Sequence, residues 1–300
     1  MNTKKFSQTI ARISPITPGA TFMILSAFSF CLMTVFVKFS GDTLPTIQIV
    51  FIRGIFSLII TRIFIFRENI YPLGGNKLLL ITRGLTGTVA LFFVYESIKR
   101  YPLAEATAIQ YLFPIFTAFV ASLLIFEPIS KKVFLAVIIG FLGVFTMLDF
   151  PFLSNNADVN LISIFIAISG SLLTGISYVL VRKATLLNEH PLVVMYYFPL
   201  FTVPLSAPLA YYYWVNPSIE AWVFLLLVGI FTQSGQFFLT HGYKELPAAQ
   251  AAPLSYIQVP IATVIGLLLF DEKITMTFIL GSLMILLSIF IVITKRQAKG

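Results

Sequence analysis

The polar residues best able to recognise a solute form one stripe along a predicted helix. Gly229, Gln233, Gln236 and Thr240 follow each other in steps of four, three and four residues, which places them on a single helix face. Amide side chains on such a face can hydrogen-bond to an amide, a carboxylate or a ring edge of a small molecule. The alternative is that they only tie this helix to a neighbouring one.

The same stripe recurs 145 residues earlier in the chain, at Gly84, Thr88, Leu91 and Tyr95. Residues 95 to 148 and 240 to 293 match at this offset, which indicates a duplication. The matching pairs are Lys99 and Lys244, Pro102 and Pro247, Ala104 and Ala249, Ala106 and Ala251, Tyr111 and Tyr256, Leu123 and Leu268, Leu124 and Leu269, Glu127 and Glu272, and Ile129 and Ile274.

Tyr111 and Tyr256 are the strongest paired candidates for substrate binding. Each lies nine residues after the proline that begins its segment, Pro102 or Pro247. At 1.5 Å per residue this is roughly 13 Å, near the middle of a bilayer. The pattern therefore favours a position on a central cavity over a place in the interfacial aromatic belt, which remains the alternative.

Further candidates have weaker support from spacing alone. Arg53 lies eight residues after Pro45, roughly 12 Å into its helix, where a buried cation needs a partner. It can balance an anionic group of the substrate, extend to the headgroups, or hold its helix in position. Gln110 and Gln258 lie beside the two tyrosines, and Tyr178 belongs to a helix rich in small and hydroxyl residues.

Charged residues near the predicted span ends are assigned to the membrane surface. Arg83 lies six residues after Lys77 and is expected to extend to the cytoplasmic surface. No Asp or Glu lies deep in a predicted span, which disfavours a proton relay through a buried carboxylate. The remaining alternatives for the transport mechanism are uniport, exchange, and coupling through another group such as Glu96 or His241. Glu127 is interpreted as a helix boundary.

Prolines within predicted helices free backbone carbonyls and permit bending. Pro114 and Pro260 occupy nearly equivalent positions in the two copies, one residue out of register. They are the candidate hinges.

The composition is that of an integral membrane protein. Of the 300 residues, 58% are hydrophobic and 11% are charged, whereas roughly a quarter of the residues of a soluble domain are charged. The net charge of +8 comes from scattered basic residues, which argues against nucleic-acid binding. With a single cysteine, Cys31, and two histidines, the sequence predicts no metal site and no cofactor.

Ten stretches have the length and polarity of membrane-spanning helices. A polar, turn-rich link at 151–159 separates them into two sets of five, and an odd number in each set predicts that the halves are inverted in the bilayer. The predicted spans are 19–39, 44–66, 77–98, 102–126, 132–149, 160–182, 191–213, 219–241, 246–270 and 274–294.

The distribution of basic residues predicts the orientation. With both termini in the cytoplasm, 15 of the 20 lysines and arginines fall on the inner side and four on the outer side. The sequence therefore predicts an inner-membrane protein with a cytoplasmic N-terminal segment 1–18 and a cytoplasmic tail 295–300.

The third and fourth spans carry a family resemblance. Arg83-Gly84-Leu85 with Gly87 and Tyr95, the segment from Tyr101 to Ala108, and Phe126-Glu127-Pro128 resemble the EamA-type transporters of the drug/metabolite transporter superfamily. The segment Leu246-Pro247-Ala248-Ala249 and the pair Asp271-Glu272 are similar to that family's second repeat.

The resemblance implies two inverted five-helix repeats, at 19–150 and 160–294, around a central cavity, with the fifth and tenth helices outside it. It also implies an alternating-access transporter of a small organic metabolite, rather than an enzyme. Sparse charge and many aromatic residues favour a neutral or zwitterionic solute such as an amino acid, riboflavin, a nucleobase or S-adenosylmethionine. Efflux of drugs or metabolites is the alternative, a membrane-embedded enzyme lacks the residues it needs, and a homo-oligomer is possible.

Overall fold

The computed structural model describes residues 17–41, 44–100, 103–150, 161–270 and 275–293, and all of its regular structure in these ranges is helical. The predicted link 151–159 and tail 295–300 lie outside the described residues, as does most of the segment 1–18. The helices are α1 (Pro18–Gly41), α2 (Thr46–Arg67), α3 (Lys77–Arg100), α4 (Leu103–Gln110), α5 (Phe113–Leu124), α6 (Lys131–Met147), α7 (Leu161–Leu186), α8 (Pro191–Tyr212), α9 (Ile219–Glu245), α10 (Ala248–Leu254), α11 (Gln258–Phe270) and α12 (Met276–Ile293), with a 3₁₀ turn at Ser255–Ile257.

Nine segments of the described chain are long and apolar enough to cross a membrane, compared with the ten predicted. The predicted span 132–149 corresponds to α6, which has 17 residues. At 1.5 Å per residue α6 measures about 26 Å, a little less than the hydrocarbon core of a typical bilayer.

The 145-residue offset predicted from sequence relates the helix boundaries of the two halves. Helix α2 at 46–67 corresponds to α8 at 191–212, and α3 and α9 end at the equivalent residues Arg100 and Glu245. Packing follows the same relation, because α1 lies along α9 while α7 lies along α3, and α2 lies along α8.

Glycines produce two equivalent close approaches between the halves. A Cβ atom added to Gly84 would lie 2.6 Å from the ring of Phe201, and one added to Gly229 would lie 2.8 Å from Phe56. Residue 84 is equivalent to 229, and residue 56 to 201. The same pair of equivalent positions is therefore in contact twice, and each position comes from the first repeat in one contact and from the second repeat in the other. A small residue at these positions is required for α3 to pack on α8 and for α9 to pack on α2.

Both spans that carry the paired tyrosines are interrupted at the tyrosine. Helix α4 ends at Gln110 and α5 begins at Phe113, with Tyr111 in the turn between them, while Tyr256 lies in the 3₁₀ turn. Pro114 and Pro260 fall in the first turn of the following helices, where a missing N–H breaks no helical hydrogen bond. They therefore begin new helices instead of bending continuous ones.

Helices α6 and α12 form a pair at the edge of the bundle. A Cβ added to Gly143 would lie 2.8 Å from the carbonyl oxygen of Gly281, and one added to Gly281 would lie 2.5 Å from that of Gly143. Ser288 Oγ donates to the carbonyl of Ala136 at 2.7 Å. Outside this pair, α6 and α12 contact mainly α10 and the 3₁₀ turn. This placement is the one expected for the fifth and tenth spans.

Candidate solute-binding site

Gln233 ties α9 to α2 with both ends of its amide. Ser57 Oγ donates to Gln233 Oε1 at 2.6 Å, and Gln233 Nε2 donates to Thr61 Oγ1 at 2.8 Å. All three side chains are buried. The amide therefore ties the two helices together, and the same residue also lines a cavity of about 240 Å³.

Thr88 makes the equivalent tie in the other repeat. Its hydroxyl lies 2.9 Å from that of Thr202, which joins α3 to α8. Thr88 corresponds to Gln233, and Thr202 corresponds to Ser57. The two hydrogen-bonded pairs therefore occupy equivalent positions, with the contributions of the two repeats exchanged. The stripe found in the sequence thus marks a pair of equivalent helix interfaces.

Gln236 differs from Gln233 in its partners. Its Oε1 atom is buried and accepts no hydrogen bond from any group in the described part of the chain. A buried amide oxygen without a donor costs roughly 1–3 kcal/mol, which a solute N–H or O–H can recover. Gln236 is therefore a better candidate ligand than Gln233, which has two partners.

The two tyrosines predicted as a pair do meet. The rings of Tyr111 and Tyr256 have centroids 6.0 Å apart. Tyr256 is fully buried, packs on Gly140, and its hydroxyl donates to the carbonyl of Val137 at 3.3 Å. Its polar end therefore faces α6, and Tyr111 is the member of the pair next to the interior aromatic residues, with its ring 6.1 Å from that of Phe113.

Tyr178 lies at the centre of these aromatic contacts. Its ring is 5.4 Å from Phe113 in an edge arrangement and 5.3 Å from Tyr243. The half-buried side chain joins α5, α7 and α9. Tyr178 is a minor candidate from the sequence pattern, and no sequence pattern indicated Tyr243.

The remaining predicted residues occupy separate positions. Gln110 Nε2 donates to Thr174 at 3.3 Å, and the backbone carbonyl of Gln258 accepts from Cys31 Sγ at 3.4 Å. Tyr95 is half-buried.

Arg53 is buried, with 6% of its surface exposed, so it does not extend to the headgroups. One guanidinium nitrogen lies 3.6 Å from Met33 Sδ. It borders a small cavity of about 10 Å³, which Phe198 and Thr202 also line.

Arg83 corrects a prediction, because it does not reach the membrane surface. Only 2% of the residue is exposed, and the guanidinium carbon lies 5.3 Å from the centroid of the Phe198 ring. Its Nε and Nη1 atoms have no hydrogen-bond acceptor among the described residues. The distance from Lys77 alone could not show whether the side chain turns outward or inward.

A polar network closes the bundle at the end where α5, α7 and α9 stop. Arg182 Nε donates to Glu127 Oε1 at 2.7 Å, and its Nη1 donates to the carbonyls of Tyr243 and Lys244 at 3.1 and 2.8 Å. Glu127 Oε2 accepts from the N–H of Ala248 at 2.7 Å. Glu127 thus connects both repeats at the helix boundary that the sequence predicted.

A larger cavity of about 240 Å³ lies near the same end, between α2, α8 and α9. Its polar lining residues are Glu68, His190, Gln233, Ser234, His241 and Lys244, so the predicted site residue Gln233 borders this cavity. Burial lowers the pKa of His190, outweighing the opposing effect of Glu68, whose carboxylate is 3.8 Å away. The described residues contain no group of three or more His, Cys, Asp and Glu side chains able to hold a metal.

Two helical repeats that pack through exchanged contacts, with polar and aromatic groups enclosed between them, define a membrane carrier protein. The chain matches the EamA-like transporter family over residues 17–148 and 161–294, and it belongs to that family.

Three transporter relatives agree with this assignment, and one solved structure shares the fold. An uncharacterised transporter of Helicobacter pylori is 27% identical over 90% of this chain and 92% of its own length. The pseudopaline exporter CntI of Pseudomonas aeruginosa is 25% identical (94% and 97% covered), and the S-adenosylmethionine uptake transporter of Rickettsia prowazekii is 24% identical (93% and 94%). A crystal structure superposes with a TM-score of 0.80 at 16% identity, covering 91% of this chain and 95% of that one.

Proposed function

We propose that this protein is an alternating-access secondary transporter of a small organic metabolite, neutral or zwitterionic, in the inner membrane. It has ten membrane-spanning helices in two inverted repeats, with both termini in the cytoplasm. Membership of a transporter family and the two-repeat fold support this proposal.

The observation that carries the proposal is the exchange of contacts between repeats. Ser57 with Gln233 and Thr88 with Thr202 are equivalent ties. Equivalent contacts in both halves are the packing expected of an inverted-repeat transporter, in which one repeat rocks against the other around a central site. This rocking moves a solute held at the centre.

The closed end supports the choice of conformation. The network of Glu127 and Arg182 joins the repeats at the end that the distribution of basic residues assigns to the cytoplasm. We therefore assign this structure to a conformation closed on the cytoplasmic side. Opening that side requires the ion pair to separate.

The interior groups define the solute-binding region within the proposal. Tyr111, Tyr178 and Gln236 offer two aromatic rings and an amide oxygen without a donor. Such a set suits a solute with a flat or apolar part and a hydrogen-bond donor. An S-adenosylmethionine-like or amino-acid-like metabolite combines these features.

Direction is the second question, because the relatives include both an exporter and an uptake transporter. Efflux of a metabolite is therefore the alternative function. The same alternating conformations serve either direction, and the gradients in the cell decide which one occurs.

The test is solute counterflow with the purified protein in proteoliposomes. Vesicles are loaded with one unlabelled solute at a time, from a panel of amino acids, riboflavin, nucleobases and S-adenosylmethionine, and uptake of the labelled form is followed. We expect transient accumulation of at least one solute, absent from protein-free vesicles. No accumulation of any panel solute contradicts the proposal.

A further inference from the structure

We propose that Arg83 binds the carboxylate of the transported solute, assisted by Ser177. This inference rests on the proposed transport function and narrows the substrate class to solutes with a carboxylate. It assigns a role to the most deeply buried cation of the described chain.

The first argument is the missing counter-ion. The ion pairs among the described residues are Glu96 with Arg100 and Glu127 with Arg182, and the carboxylate of Glu68 lies 3.8 Å from the ring of His190. Glu189 accepts from the backbone N–H of Gly75, and Asp149 accepts from Thr277. The carboxylates of Glu220 and Glu245 are exposed. None of the carboxylates whose side chains the structure describes is a partner of Arg83.

The second argument is the cost of leaving Arg83 in this state. A buried charge without a partner costs several kcal/mol in a membrane protein, even when it interacts with an aromatic face. The ring of Phe198 satisfies no N–H, and both Nε and Nη1 lack an acceptor. Charged residues enclosed in membrane proteins generally lie on the path of a substrate or ion.

The third argument is the set of donors around the guanidinium. A Cβ on Gly87 would touch Arg83 Nη1 and lie 3.0 Å from both Ser177 Oγ and the Phe198 ring. Ser177 Oγ is itself buried without a partner in the described chain. Guanidinium and hydroxyl donors converging on one point form the donor set that a carboxylate accepts.

Phe198 provides access to this point. The ring covers Arg83 and also lines the small cavity beside Arg53. The proposal requires Phe198 to change rotamer to connect that cavity to the guanidinium, which would bring Arg53 near the bound solute. Only glycine at position 87 allows the guanidinium to lie this close to α3, because a Cβ there would overlap Nη1.

The experiment measures ligand-induced thermal stabilisation of the purified full-length protein in detergent. The probes are matched pairs that differ in the carboxylate: S-adenosylmethionine and its decarboxylated form, phenylalanine and phenethylamine, and riboflavin as a neutral solute. Sodium phosphate and sodium chloride test for an inorganic anion. The variants are Arg83→Gln, Arg83→Lys and, as a matched control, Arg62→Gln, which removes an exposed arginine from α2.

We expect at least one carboxylate solute to raise the midpoint of unfolding by roughly 3–5 °C at ten times its Kd, while its partner without a carboxylate has little effect. Arg83→Gln should weaken that affinity about tenfold or more, because a hydrogen bond to a charged group contributes roughly 1.5–3 kcal/mol. Arg83→Lys should lie between, and Arg62→Gln should match the wild type.

Four results overturn the inference. They are stabilisation by no carboxylate solute, equal stabilisation by both members of every pair, equal affinity in a folded Arg83→Gln or Arg83→Lys variant, and stabilisation by phosphate or chloride alone. Counterflow distinguishes failure of this inference from failure of the proposed function. Exchange of solutes without a carboxylate would support transport and contradict the Arg83 site. Binding of a carboxylate solute without exchange would support the site and contradict transport.

Discussion

Replacing Gln233 by leucine tests the tie between α9 and α2. The amide makes two buried hydrogen bonds, of 2.6 Å to Ser57 and 2.8 Å to Thr61. Hydrogen bonds between membrane helices contribute about 0.6 kcal/mol each on average, and up to about 1.7. Since Ser57 is also left buried without its acceptor, Gln233→Leu should lower the free energy of unfolding by about 1–2 kcal/mol.

The assay is reversible unfolding in mixed micelles, titrated with sodium dodecyl sulfate and followed by circular dichroism. The equivalent tie provides an internal control, because Thr88 makes a single bond to Thr202 and Thr88→Val should cost about half as much. In a double-mutant cycle, Gln233→Leu and Ser57→Ala should be non-additive by at least about 0.6 kcal/mol. Additivity within about 0.3 kcal/mol refutes the tie.

Three further predictions concern the closed end, the α6–α12 pair and the cavity near the cytoplasm. Glu127→Gln removes the ion pair with Arg182, worth about 1.5 kcal/mol or more, and should shift the conformational equilibrium enough to slow counterflow about tenfold; an unchanged rate argues against the gate. Gly281→Val places methyl groups against the carbonyl of Gly143 and should lower the thermal midpoint by several degrees without changing solute affinity, whereas an unaltered midpoint would contradict the packing. Because the pKa of His190 is lowered in the folded protein, its contribution to stability is present above the ordinary value near 6.5 and is lost as the pH falls. His190→Gln should therefore reduce the acid sensitivity of the thermal midpoint, and an identical pH profile would count against this.

Much of the scaffold could be predicted because duplication and hydrophobicity are properties of long segments. The offset of 145 residues carries over to helix boundaries, to the Gly84 and Gly229 approaches, and to the two polar ties. An apolar stretch of about 20 residues has few alternatives to a membrane helix. These inferences do not depend on the direction of any single side chain.

The interruptions at Tyr111 and Tyr256 were not predicted from the sequence. Both spans are apolar throughout, and hydropathy does not distinguish a continuous helix from two half-helices joined by a turn. The prolines indicated a disturbance, but they were interpreted as bends within a helix. In the structure they lie in the first turn after the interruption, where proline is well tolerated.

The interior site was the least predictable part. Helical spacing put Gln233 and Gln236 on one stripe, yet one is fully hydrogen-bonded to α2 and the other has an oxygen without a donor. Their difference depends on which residues of the other repeat face them. Arg83 was missed for a related reason, because its position along α3 permits either an outward or an inward side chain.

The central claim is that the interior is exposed to each side of the membrane in turn. The most direct measurement is labelling of Gln236→Cys in a Cys31→Ser background with a membrane-impermeant maleimide, applied separately to each face of oriented vesicles. The fully buried Ser288, replaced by cysteine between α6 and α12, is the unreactive control. Alternating access predicts that the cysteine at 236 reacts from both faces, and that Glu127→Gln raises its reactivity from the cytoplasmic face. Reaction from one face only, or from neither, would contradict the account.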